Sequence, residues 1–284
     1  MAPTHTARLA LALAASAALA GCTEDFTPAS VLEDVRVLAL LADPLEAGPG
    51  DDVAVEAVVY EDANDPVVSE AWSFCPLTTG AAGGFRCVLP ACETPLGEAR
   101  TATANPFERA EACLVAAGGA LPDGTAAVPA QVEAVFRYRV TTAAGRTREA
   151  VLRLPLWSTP PAERNAPPVL NGITVGGAPA SRDGVTGTLA AAGGSIEIAV
   201  DVDPASLQTY VDGAGRTLTE SVVVSFFTTA GRFSEERGSA PRAVTALEAE
   251  ELPASATEAE VWVVARDLRG GQAFDGPFRI AIAR

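Results

Sequence analysis

Apolar residues recur at every second position in run after run of this chain, and glycine and proline are plentiful in the turns between them. Such spacing selects strands, because only an extended backbone returns a side chain to the same face every two residues. "GGSIEIAVDVDP" sets Ile196, Ile198, Val200 and Val202 on one face and Glu197, Asp201 and Asp203 on the other. "QVEAVFRYRVTTAAGRTREAVLRLPLW" reads as a hairpin. Val132, Ala134, Phe136, Tyr138 and Val140 point inward, Glu133, Arg137 and Arg139 outward, and "TAAGRT" forms the turn.

The same reading extends along the chain. "DVRVLALLADP" groups Val35, Val37, Ala39 and Leu41, and "VAVEAVVYED" groups Val53, Val55, Ala57 and Val59. "VVSEAWSFC" groups Val68, Glu70, Trp72 and Phe74, which expects Glu70 near the solvent end. "ESVVVSFFTTAG" is a buried strand, and "AEVWVVARDLRGGQAFDGPFRIAIA" is a hairpin around Gly270-Gly271. One short helix is expected at 106–117, with Asn105 as N-cap, Pro106 at the first position, Glu108 in the capping-box place and Gly118-Gly119 as the stop. The expected class is all-β, with two tandem antiparallel β-sandwiches, as suits 284 residues. The first spans 35–157 with a cysteine-rich insertion at 75–119. The polar, proline-rich "STPPAERNAPP" at 158–168 is a stiff linker, and the second sandwich spans 169–284.

The N-terminus is different in kind. After "MAPTHTAR", Leu9 to Leu19 is apolar but too short to span a bilayer, which needs about 20 residues. Leu19-Ala20-Gly21-Cys22 follows. This resembles the signal peptide and lipobox of bacterial lipoproteins. The resemblance implies that residues 1–21 are removed and that Cys22 is acylated and becomes the first mature residue. Residues 22–34 are then a lipid-anchored tether. Thr23 in place of Asp implies, by the enterobacterial sorting rule, the outer membrane. The membrane is thus expected as a partner through the lipid alone.

The chain carries a net charge of −16, with 20 basic residues, all Arg, against 36 acids. Losing residues 1–21 removes Arg8 and no acid. A dispersed polyanion repels nucleic acid, so none is expected as a partner. The one histidine is His5, and there is no lysine. Without Cys22, four cysteines remain. In an exported chain Cys75, Cys87, Cys92 and Cys113 suggest two disulfides, with Cys75–Cys87 and Cys92–Cys113 preferred among three possible pairings. The C-x₄-C spacing of Cys87 and Cys92 only weakly suggests zinc, and there is no C-x-x-C.

Outside the leader, therefore, the sequence offers no Ser-His-Asp, Cys-His, Ser-Lys or Schiff-base chemistry. No phosphate-cradling or nucleophile-elbow motif appears, and no cofactor is expected. A hydrolase using two acids remains formally open, with Glu70 beside Trp72 as its nearest candidate. Weak calcium candidates are Asp62, Asn64 and Asp65 in "YEDANDP", and Asp201, Asp203 and Asp212 in "DVDPASLQTYVDG". Neither run has EF-hand order, and Asp and Asn commonly serve turns. Phe226 and Phe227 are adjacent, so one must leave the core, as must Trp262 between Val261 and Val263. Exposed aromatics can mark a partner contact, but packing, with Trp262 between sheet and linker, is the favoured reading.

The "VWVVARDLRGG" hairpin and "VSFFTTAGRF" strand are similar to those of bacterial immunoglobulin-like domains, including the PKD type, found in surface lipoproteins of Gram-negative bacteria. The likeness is fair over 169–284 and loose over 35–157. The first half departs from the antibody pattern. Trp72 suits the core tryptophan of strand C, yet Cys75 shares its strand and 53–60 holds no cysteine, so the intersheet disulfide is absent. The resemblance implies a non-catalytic structural or binding module of the cell envelope, with an envelope protein or glycan as partner. The alternative is a carbohydrate- or substrate-capture subunit of a surface complex.

Overall fold

The structure, a computed structural model, describes residues 28–116, 131–211, 215–250 and 252–284. The first half contains β1 (Arg36–Asp43), β2 (Val53–Tyr60), β3 (Val67–Cys75), β4 (Thr94–Gly97), β5 (Thr101–Ala104), α1 (Pro106–Ala116), β6 (Gln131–Thr142) and β7 (Thr147–Trp157). One sheet has the order β1-β2-β5 and the other β4-β3-β6-β7. Val53, Val55 and Ala57 from the first sheet meet Trp72, Phe74, Phe136, Tyr138 and Leu154 from the second in one buried core. The β6–β7 hairpin and the β2 face follow the alternation read from the sequence.

The second half contains β8 (Leu170–Val175), β9 (Ala178–Pro179), β10 (Val185–Ala190), β11 (Ser195–Val202), β12 (Thr209–Val211), β13 (Thr217–Thr219), β14 (Val223–Thr228), β15 (Arg232–Phe233), β16 (Arg237–Ser239), β17 (Arg242–Glu248), β18 (Glu258–Arg266) and β19 (Gln272–Ala283). Two five-stranded sheets, β10-β19-β18-β14-β16 and β15-β17-β11-β8-β9, enclose a core of Ile198, Val200, Val224, Phe226, Leu247, Val261 and Ile280. The fold is all-β with two sandwiches, and one short helix and two disulfides sit in the region 75–113.

Two faces differ from the simple alternation. In β1 a bulge falls between Val37 and Ala39. The extra residue inverts parity, so Val37 packs with the first core whereas Ala39 and Leu41 turn outward and Leu40 turns in. In β3 a bulge between Val67 and Ser69 leaves Val68 64% exposed, although Trp72 and Phe74 remain inside.

The outward residues of β1 form a third core. Leu38, Ala39 and Val58 from the first sandwich pack with Trp262 and Val264 of the second, with Leu41, Tyr60, Phe227 and Phe274 at the margin. Tyr60 meets Trp262 edge-on at 5.5 Å between centroids. Trp262 thus leaves its own core and packs, but against the other sandwich. Opposite it β19 carries a register irregularity. There Gly276 has φ 122° and leaves no room for a Cβ, which would lie 2.7 Å from the Val261 carbonyl.

The segment before β1 joins the same interface. Val31 bridges Thr228 in parallel, the Leu32 amide donates to Thr228 at 2.8 Å, and the Thr228 amide donates to Ser30 at 2.9 Å. Ser30 and Leu32 are buried. Residues 30–32, expected within a tether, therefore form a strap against the second sandwich. Leu32 has a core to enter and the backbone has a free edge of β14 to pair with, which is the physical reason. Cys22 and the leader at 1–21 lie outside the described residues, as do Asp212 and the expected helix stop at Gly118-Gly119.

Candidate functional site

The most elaborate polar site lies beside the third core, where the linker passes between the sandwiches. The β18–β19 turn is built by Asp267, whose Oδ1 accepts the amides of Arg269 at 2.7 Å and Gly271 at 2.8 Å. A Cβ on Gly271 would fall 2.2 Å from Asp267 Oδ2, so any larger residue there must push that carboxylate aside. The other Asp267 oxygen accepts Asn165 Nδ2 from the linker at 3.0 Å. Arg269 then reaches Glu220 at 2.5 Å and Glu46 of the first sandwich at 3.7 Å, with its guanidinium 4.5 Å over the Tyr210 ring. Arg164 pairs with Asp51 at 2.7 Å. The linker is held further by Gln208, which donates to the Arg164 carbonyl and accepts the Ala166 amide.

Glu46, Asn165, Glu220 and Asp267 are all buried. Two of their oxygens, Glu46 Oε2 and Asn165 Oδ1, have no hydrogen-bond partner among the described residues. Burial pushes the Glu46 carboxyl above its ordinary pKa, and the opposing effects of Arg269, the Asn165 amide and Arg164 do not cancel it. The site fixes domain geometry with charge-assisted bonds and holds a proton on Glu46 more readily than a free glutamate would. Its members are single polar residues scattered from 46 to 269, and no spacing in the sequence joins them.

Glu70 is occupied structurally. Its Oε1 accepts Tyr138 Oη at 2.8 Å and Arg100 Nε at 2.9 Å, and Arg100 also pairs with Glu61. Desolvation, and then the bond to Glu70, raise the Tyr138 hydroxyl well above its ordinary pKa. The Trp72 indole donates to the Arg100 carbonyl at 3.3 Å. This arrangement ties β3 to the residue before β5.

The described calcium candidates divide between the two sandwiches and are each engaged by protein groups. Asp62 accepts the Asn64 amide at 2.9 Å. Asp65 accepts Thr142 Oγ1 at 2.6 Å and the Ala144 amide at 2.7 Å, bonds that hold its pKa below the ordinary value. Asp201 takes Arg242 on both oxygens, at 2.8 and 2.9 Å. Asp203 accepts the Ala205 amide and caps a single helical turn. Among the described residues no three His, Cys, Asp or Glu side chains gather to hold a metal. The cysteines are bonded Cys75–Cys87 and Cys92–Cys113. Every described Trp, Tyr and Phe is at least partly buried, so these residues form no aromatic platform on the surface.

The sequence matches no protein-family model and no curated protein. Solved structures similar to it include the fibronectin(III)-like modules of Clostridium thermocellum CbhA, at 13% identity over 86% of this chain and 93% of that one, with a TM-score of 0.23. The D00-D0 domain of intimin is 11% identical over 88% and 99%, with a TM-score of 0.24. A putative membrane anchored protein from Corynebacterium diphtheriae is 10% identical over 88% and 59%, with a TM-score of 0.24. At such scores the fold rests on the chain's own sheets and cores. No described helix is long and apolar enough to cross a membrane.

Proposed function

We propose that the chain is a lipid-anchored, non-catalytic module of the cell envelope, attached at Cys22, placed at the outer membrane, and acting as a rigid support or binding block. The observation that carries the reading is the third core. Six buried apolar side chains from both sandwiches and the strap hold the two halves side by side. Fully burying one large apolar side chain contributes about 1.5–3 kcal/mol, so together they resist hinge motion. Asp51, Glu70, Glu220 and Asp267 are each engaged by protein donors, which suits a structural role. The N-terminal leader, read as a lipoprotein signal, supplies the address.

Labelling cells with a palmitate analogue tests the anchor. The wild type is expected to take up the label and Cys22→Ser to lose it; equal labelling of both would overturn the reading. Fractionation of the same cells places the labelled protein in the inner or outer membrane.

A further inference from the structure

A groove of about 370 Å³ opens where the strap crosses the outer face of the second sandwich. Ala29 and Ser30 form one rim, and Phe227 and Leu268 supply apolar walls. Leu268 is 63% exposed and holds φ 66°, a left-handed backbone that leucine rarely adopts. Two arginines also line the groove, one on β16 and one at the end of β18. Arg266 donates to the Leu38 carbonyl at 2.5 Å and weakly to Ser225 Oγ at 3.4 Å, both neutral acceptors. Arg237 is exposed and makes no ion pair among the described residues, although its other side faces a second pocket lined by Glu235, Glu236, Glu248 and Glu250. Burial, and after it the neighbouring Arg237 charge, lower the pKa of Arg266, so the two cations feel each other. The acid lining the groove is Glu236, whose Oε1 already accepts Ser30 Oγ at 3.1 Å.

Arg237 and Arg266 line one groove and neither is ion-paired with a carboxylate among the described residues. Guanidinium groups in this arrangement suit a phosphate or carboxylate, and the apolar walls suit an attached hydrocarbon. We propose that the groove seats the phosphate of an anionic membrane phospholipid on Arg237 and Arg266, with the apolar part of the lipid against Phe227 and Leu268. The choice of a lipid rests on the anchoring proposed above. Cys22 precedes Pro28 by six residues, which reach at most about 20 Å when extended. A site tethered so near a bilayer meets its lipid at high effective concentration, so a weak intrinsic affinity is sufficient.

The test uses the chain from residue 22 with Cys22→Ser, which removes the proposed anchor and no described residue. It is titrated with water-soluble dihexanoyl phosphatidylglycerol and, separately, with inorganic phosphate, following the arginine Nε–H resonances. The lipid is expected to saturate the site and phosphate to bind at least tenfold more weakly. Arg237→Gln is expected to weaken lipid binding about tenfold, the scale of one charge-assisted contact, and Glu236→Gln to strengthen it. Equal lipid binding by wild type and Arg237→Gln would overturn the proposal, as would phosphate binding as tightly as the lipid, or no saturation. If binding appears only after Glu24→Gln and Asp25→Asn, the chain's own acidic segment competes for the groove and the lipid assignment falls. Because no acyl group is present, the result is independent of the palmitate experiment.

Discussion

Glu46 carries a carboxylate into the domain junction with one oxygen unpartnered. Its folded pKa lies above the ordinary 4.5, so its contribution to stability is complete below pH 4.5 and is lost as pH rises through the folded pKa. Glu46→Gln keeps the shape without the charge. It is expected to stabilise the protein by about 1 kcal/mol near pH 7, and the gain should vanish below pH 4.5 in urea titrations across this range. Asp65 has the opposite sign. Its folded pKa is lowered, so its contribution is present above pH 3.8 and fades as pH falls through the folded value. Tyr138 tests a neutral partner. Tyr138→Phe should cost about 1 kcal/mol by removing the bond to Glu70, and Glu70→Ala should cost more because it strands a buried hydroxyl. Neither role was legible beforehand. Alternation places Glu70 near solvent, because it assigns a face but not the partner arriving from residue 100 or 138.

At the scale of elements, strand identity was legible wherever parity ran unbroken. The β11 alternation and the β6–β7 hairpin are regular, and their inward residues are those the spacing selects. Parity fails at a bulge, where one inserted residue moves all later side chains to the other face. Hence Ala39 and Leu41, expected in the first core, serve the third. Helix α1 was legible because capping is local: Asn105 Oδ1 accepts the Glu108 amide at 3.0 Å. Its Cys113 joins Cys92 across 21 residues, and Cys75 joins Cys87 across 12. Closing loops of this length contributes about 2–4 kcal/mol each. Replacing Cys92 and Cys113 together by alanine should lower the thermal stability of the first sandwich, measured by calorimetry, and leave strand signals of 169–284 unchanged in NMR spectra.

Across the whole molecule, coupling depends on the contact between sandwiches. Trp262 is 7% exposed and sits at its centre. Trp262→Ala should cost about 3–5 kcal/mol. The expected signature is the division of one calorimetric transition into two, together with a larger radius of gyration in X-ray scattering. An unchanged single transition would show that the junction polar cluster suffices to couple the halves. This level of organisation could not be read from the sequence. Proline-rich residues 158–168 announce a boundary, whereas the strap and the β1 bulge that close it lie more than 100 residues earlier.

The strap also sets a load path. Tension applied at the N-terminus reaches the bonds between residues 30–32 and Thr228 before it reaches β1. A pull between the N-terminus and the second sandwich therefore bypasses the first sandwich, which stays slack until those bonds shear. In this arrangement the half that comes second in the chain is the first to bear force.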